Sequence, residues 1–350
     1  MYWFKDISVL SGIQSLLSIG YTWDQILWRI DKEFDYDFRT SENVRKRFGE
    51  NRFRIRGLEK PLVDLQYLSF DEAYDQYCKY IGKTIKVKPF SGKKNKDKKL
   101  SKKLLISDLH IPFHNKVVLE ETIYKHKDAD ELIIGGDFWD CYSVSRFAKK
   151  QYVPLREEIT QGAAILAWLS SQFEKITIIK GNHSMRLWKY FEKRIDQELM
   201  FLTQYDLFSL AAKDLKNVKI VNDVYQFPHG KGKGEIGHFA KFGDCVVGHF
   251  EMSSKIPARS AINAYTWLNN WGNYFGTKDI KLYLQGHTHR LSKIPLNDGV
   301  VTVGETGCMC QVQEYAIEPS GKYTAALNGY WVLYFNGDKV DVNRSNFYIC

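Results

Sequence analysis

Hydrophobic positions follow two rhythms along this chain. Beyond residue 103 they gather into short, evenly spaced runs: KLLIS, ELIIGG, KITIIKG, DCVVG and KLYLQG. Each is rich in Ile, Leu or Val and too short for a helix, the pattern of a strand buried on both faces. The stretches between them are long enough for crossover helices, EEITQGAAILAWLSSQF at 157–173 being the clearest. Two later runs, VVTVGETG and YWVLYF, predict further strands that complete a second sheet. The expected fold class is α/β with layered sheets.

Before residue 83 the rhythm is helical. SGIQSLLSIG reads as a short helix stopped at Gly20. Thr22 caps a second, in which Trp23, Ile26, Leu27, Ile30 and Phe34 share one face. A third, SENVRKRFG, pairs Val44 with Phe48 and carries Arg45, Lys46 and Arg47, with Arg52 and Arg54 just beyond. Three short helices ending in a basic one resemble a helix-turn-helix module, whose last helix would enter a DNA groove. The stretch LEKPLVDLQYLSFDEAYDQYCKYIG adds helix without chemistry of its own.

Charge marks the boundary between the two parts. The 350-residue chain carries a formal net charge of +9, and residues 83–103 hold ten lysines against one acid, Asp97, a surplus as large as the whole chain's. With Pro89, Gly92 and no apolar period, this stretch reads as a linker. The division expected is therefore a small all-α domain at 1–82, a Lys-rich linker at 83–103 and an α/β domain at 104–350. No apolar run reaches the roughly 18 residues of a membrane span, and MYWFKDISVL lacks the pattern of a secretory signal. The six cysteines are scattered with no CxxC pair, so a reducing, cytoplasmic setting is expected.

The chemistry lies just after the buried runs. Asp108 and His110 follow the first; Gly136, Asp137 and Asp140 follow the second; Gly181, Asn182 and His183 follow the third. Gly248 and His249 come with the fourth, and Gly286, His287 and His289 follow the fifth. Open α/β sheets bind ligands beyond the carboxyl ends of their strands, so the five groups should converge on one crevice. Oxygen and imidazole donors without thiolate suit Mn²⁺, Fe or Zn²⁺, and one carboxylate, Asp137, could bridge two cations.

These motifs, DLH, GDFWD, GNH, GH and GHTH, resemble the signature of the calcineurin-like metallophosphoesterase family and span residues 108–289. The resemblance implies a β-sandwich flanked by helices with a dinuclear site at one edge. Carried over, Asp108, His110, Asp137 and His289 would hold one divalent metal, and Asp137, Asn182, His249 and His287 the other, Mn²⁺ being expected with Fe or Zn²⁺ as alternatives. His183 would donate a proton to the leaving oxygen or polarise it. Where the family usually has an acid after GNH, this chain has Ser184, which leaves the orientation of His183 to other groups.

Around this set, Asp140 is expected to hydrogen-bond a ligand histidine, and Arg146 and Arg186 to pair with phosphate oxygens or with surface acids. His114 reads as structural, His126 as a surface helix end, and His229 and His238 as loop residues. Trp139 and Trp188 read as packing residues, and Cys308 and Cys310 as strand residues outside any metal site. GDFWDCYSVSRF and GNHSMRLWKY look similar to phosphoesterases of bacteriophages and related bacterial elements. With the basic N-terminal helices, this points to DNA as partner and to a metal-dependent DNA phosphodiesterase or nuclease. A small-nucleotide phosphodiesterase or protein phosphatase is the alternative, and a DNA-binding regulator with a vestigial metal site the second. No membrane partner is expected; a homodimer is compatible with the family, though no interface is legible.

Overall fold

The computed structural model describes residues 13, 17, 22–24, 26, 62–63, 65–66, 68–78, 86–87, 90, 100–146, 149, 151–194, 207–221, 225–227, 235–254, 256–311 and 326–350. The chain divides into two compact units, Met1–Leu62 with Gly82–Lys86, and Val63–Ile81 with Val87–Cys350. In the first unit Ile13, Leu17, Trp23, Asp24 and Ile26 are helical. The Ile26 N–H donates to Thr22 O at 2.9 Å, a first helical turn immediately after Thr22. The basic residues Arg45, Lys46, Arg47, Arg52 and Arg54 of the expected recognition helix lie outside the described residues.

The second unit starts with helix α1 (Phe70–Cys78). Its start is a reciprocal cap: Glu72 accepts from the Ser69 N–H at 2.9 Å, and Ser69 Oγ accepts from the Glu72 N–H at 3.3 Å. The helix falls in the stretch read as part of 1–82, yet Phe70 packs edge-on against Trp168, ring centroids 6.1 Å apart, within the large core of this unit. Trp168 Nε1 also donates to Leu68 O at 3.2 Å.

The chain continues through β1 (Ser101–Ile106), α2 (Lys116–Lys125), β2 (Glu131–Ile134), α3 (Leu155–Gln172), β3 (Ile176–Ile179), α4 (Ser184–Glu192) and β4 (Val218–Val221). Then come β5 (Tyr225–Phe227), β6 (Glu235–Phe242), β7 (Cys245–Phe250), α5 (Arg259–Asn270), β8 (Leu282–Gln285), β9 (Leu291–Leu296) and β10 (Val301–Thr306). The last strands are β11 (Gly329–Asn336), β12 (Lys339–Val340) and β13 (Asn346–Ile349). Among the described residues they form one sheet ordered β12-β11-β1-β2-β3-β4, with β13 also on β11, and another ordered β9-β10-β8-β7-β6-β5.

The five predicted runs are all strands. Their residues alternate between two cores, as a period of two requires. Leu104, Ile106, Leu132, Ile134, Ile176 and Ile178 face α1 and α3, whereas Leu105, Ile133 and Ile179 face the second sheet. From that sheet Cys245, Val247, Leu282 and Leu284 point back into the shared core, while Val246, Phe250 and Tyr283 pack under α5. The result is a sandwich of two sheets with helices on both outer faces. VVTVGETG joins the second sheet as expected, beside β8. YWVLYF does not: it pairs antiparallel with β1 in the first sheet, Val332 opposite Leu104. Its continuous apolar run showed burial on both faces but could not select the sheet.

Two histidines also depart from expectation. His126 ends α2, but it is buried and its Nε2 lies 3.0 Å from Tyr330 Oη, covered by β11. His238 sits in β6 directly opposite His249, fully buried, and not in a loop.

Candidate metal centre

Parallel β1, β2 and β3 end side by side, as do β7 and β8 in the facing sheet. The turns beyond them are sharply bent: Asp108, His110, Asp137, His287 and His289 all have positive φ, from 43° to 76°. Non-glycine residues adopt this region at a cost and usually where function fixes them. Gly136, at φ 114°, is a real glycine requirement, since a Cβ there would overlap the His249 ring.

The side chains converge on two adjoining groups. Asp108, His110 and Asp137 place one ligand atom each within 4.8 Å of one another, and so do Asp137, His249 and His287. Asp137 belongs to both. His289 Nε2 lies 3.3 Å from Asp108 Oδ1 and 3.0 Å from His110 Nε2, which adds it to the first group. Asn182 Oδ1 lies 3.2 Å from His249 Nε2 and 3.0 Å from His287 Nδ1, which adds it to the second.

The hydrogen bonds behind the rings show which nitrogens face the crevice. His110 Nδ1 lies 3.0 Å from Asp140 Oδ2, and His249 Nδ1 lies 2.8 Å from Gly135 O. Both partners accept, so each imidazole carries a proton on Nδ1 and turns Nε2 inward, where it binds a cation once any second proton is released. There His249 Nε2 meets Asp137 Oδ2 at 3.1 Å, a contact that only a second proton on the imidazole or a cation between the two can satisfy. A divalent cation fits such a cage of oxygen and imidazole donors.

The electrostatics make the same demand. Burial alone would raise the three carboxyls, but neighbouring imidazoles, His249 for Asp108 and His183 for Asp137 and Asp140, hold them well below the usual carboxylate range. Burial pulls His110 down, yet hydrogen bonds to Asp108 and Asp140 outweigh it and raise it to about 10. His249 is raised to about 9, the charges of Asp137 and Asp108 overcoming its burial. The buried acids therefore recruit protons where a cation would serve better.

His183 is buried beside Asp137, its Nε2 3.8 Å from Asp137 Oδ2. Its Nδ1 donates to Asp140 O at 3.0 Å, and its Nε2 receives Arg186 Nη2 at 2.7 Å. Arg186 also donates to Asp140 Oδ1 at 2.9 Å. Burial, reinforced by the Arg186 charge, lowers the His183 pKa. The orientation that an acid after GNH would give is thus supplied by the Asp140 carbonyl and Arg186. Arg146 lies exposed on the loop after β2.

One residue near the site was missed from sequence. Cys310 forms a third candidate group with His110 and His289. It lies 21 residues beyond His289 and follows the VVTVGETG strand without any of the ligand motifs that end the other five runs, so no sequence signal placed it there. Trp188, expected to pack, is 45% exposed on α4.

The family model for calcineurin-like phosphoesterases matches residues 102–291, more than half of the chain. The chain belongs to the calcineurin-like phosphoesterase family. That family accounts for the sandwich and for the candidate metal-binding groups at its strand ends. Solved structures similar to this phosphoesterase include a conserved predicted phosphoesterase from Streptococcus pneumoniae TIGR4, 13% identical over 72% of this chain and 98% of that one, TM-score 0.28. A single mutant of Vps29 from Entamoeba histolytica is 11% identical over 71% of this chain and 98% of that one, TM-score 0.34. A metallophosphoesterase from Sphaerobacter thermophilus is 15% identical over 71% and 87%, TM-score 0.35. None of the curated proteins matches this phosphoesterase in sequence. Among the described residues no helix is long and apolar enough to cross a membrane.

Proposed function

We propose that this phosphoesterase is a DNA-directed phosphodiesterase that works with two divalent cations, Mn²⁺ being the expected metal. The observation that carries the reading is the pair of acceptor cages sharing Asp137. In this reading Asp108, His110, Asp137 and His289 hold one cation, and Asp137, Asn182, His249 and His287 the other. Bound divalent cations supply Lewis acidity, lowering the pKa of water and neutralising phosphoryl charge.

The chain's own residues do the rest. Arg186 is held at the rim by Asp140 and His183 and is the group that receives a phosphoryl oxygen. As Arg186 turns to the phosphate it frees His183 Nε2, which can take a proton from water and pass it to the leaving oxygen while Nδ1–H stays on the Asp140 carbonyl. Asp140 keeps its Oδ2 on His110 throughout and so fixes that ligand's orientation.

A polyanionic substrate is supported by α4. Lys189 and Tyr190 follow on the Arg186 face of that helix, with Lys193 and Arg194 exposed just past its end at the same spacing. A basic and aromatic track leaving the crevice suits a nucleic-acid strand more than a small ester.

The test is Mn²⁺-dependent hydrolysis of bis-p-nitrophenyl phosphate beside single- and double-stranded DNA, with Asp137→Asn and His183→Ala as controls. DNA cleavage that both substitutions abolish supports the reading. Cleavage of the aryl ester alone keeps the metal chemistry and sinks DNA as substrate, leaving a small-nucleotide phosphodiesterase.

A further inference from the structure

We propose that Cys310 is the positioning residue of His289, its sulfur accepting the imidazole Nδ1–H and so turning the Nε2 lone pair into the first metal cage. The inference rests on the two-cation reading above.

Each cage imidazole with an inward Nε2 needs an acceptor behind it. A ligating histidine that donates its second ring N–H is fixed in tautomer and ring angle and becomes a better donor to metal. For His110 the acceptor is the Asp140 carboxylate at 3.0 Å, and for His249 the Gly135 carbonyl at 2.8 Å. For His289 it is Cys310 Sγ, 3.8 Å from Nδ1, while Nε2 faces Asp108 and His110. Sulfur is a weak acceptor with a long reach, and 3.8 Å is within that reach.

The sulfur does not reach this place by a loose rotation. Cys310 is buried, and its backbone is pinned from three sides. Met309 N–H donates to Ser107 O at 2.9 Å, immediately before the Asp108 ligand. Gln311 N–H donates to Phe113 O at 2.8 Å, and Asn328 Nδ2 donates to Cys310 O at 2.7 Å. The other side of the turn is tied to His289 itself, whose carbonyl accepts from Leu327 N–H at 2.8 Å. Cys308 Sγ lies 3.5 Å from Leu327 O and interacts with the Cys310 thiol, one step further from the ring than Cys310 itself. The two cysteines are therefore not equivalent: among the described residues the sulfur within hydrogen-bond reach of His289 Nδ1 is that of Cys310.

The test uses the full chain, stripped of metal and loaded with Co²⁺, as wild type, Cys310→Ala and Cys310→Ser. Stoichiometry and affinity are read by chelator competition, and exchangeable imidazole N–H signals by paramagnetic proton NMR. Wild type should bind Co²⁺ without a sulfur-to-cobalt charge-transfer band, because the sulfur binds the ring and not the metal. Cys310→Ala should weaken one of the two sites by roughly 10–100-fold and lose one N–H signal to solvent exchange. Cys310→Ser, which keeps an acceptor, should fall between the two. Matching thermal melts in chelator exclude a folding defect, and if the Ala variant does not fold the Ser variant carries the comparison. Full-strength binding with every N–H signal retained in Cys310→Ala overturns the proposal. So does a charge-transfer band in wild type that Cys310→Ser removes, since Cys310 would then be a ligand. A wild type that binds no Co²⁺ overturns the two-cation reading itself, an outcome plainly separate from the others.

Discussion

The two sheets bring unlike halves to the crevice. The turns beyond β1, β2 and β3 supply every carboxylate there, Asp108, Asp137 and Asp140, together with His110, Asn182 and His183. The second sheet supplies no carboxylate: His249 comes from within β7, His287 and His289 from beyond β8, and the Cys310 thiol from beyond β10. The acidic half is over-supplied with negative charge and the imidazole half cannot neutralise it without taking up protons. In the proposed reading a cation between them satisfies both, and the site is a seam that the metal closes. The helix-covered cores behind each sheet are ordinary apolar packing by contrast.

The sharpest way to break that contrast is to remove the shared carboxylate. Asp137→Asn should cost on the order of 10³-fold or more in turnover, the scale of losing a preorganised electrostatic group. Metal analysis of the purified variant should show at least one cation lost. Retained occupancy and activity would mean the two groups do not share Asp137.

Gly136→Ala attacks the seam through the backbone. The positive φ costs an Ala on the order of 1–3 kcal/mol, and its Cβ would push His249 out of line. Metal affinity and melting temperature should both fall. A lower melting temperature with unchanged affinity would separate the turn from the site.

Proton release measures the charge imbalance directly. Without metal, His110 and His249 are raised to about 10 and 9, so both are protonated near neutral pH. A cation must displace those protons, so loading should release about two and affinity should climb with pH until roughly 10. Calorimetry in buffers of differing ionisation enthalpy counts them. Release of none would show that the imidazoles are already neutral.

The smallest effect belongs to the scaffold. Ile165→Val removes one methylene from the fully buried face of α3 and should cost about 1 kcal/mol by denaturant unfolding. Metal affinity should not change. A coupled loss would mean the core and the seam are less independent than the comparison holds.

Much of this was legible in the sequence because it is written in local periods. Leu104-Leu105-Ile106 and Leu132-Ile133-Ile134 announce strands buried on both faces, and a motif placed just after such a run has few places to go. What was not legible depends on distant neighbours. His126 reads as a surface helix end until Tyr330 closes over it from β11. His238 lies in a glycine-rich stretch and gives no strand signal, yet it pairs opposite His249. Cys310 enters the site through hydrogen bonds to Ser107, Phe113 and Asn328 in its own turn, none of which a motif records.

The chain by itself determined the donors, their order and the strands that carry them, because residue type and a two-residue alternation are local properties. Only the tertiary structure decided which donors gather into each candidate group, that Arg186 and the Asp140 carbonyl hold His183, and that the Cys310 thiol lies beside His289. Those are distances between atoms far apart in the chain, and they exist only once the two sheets have packed.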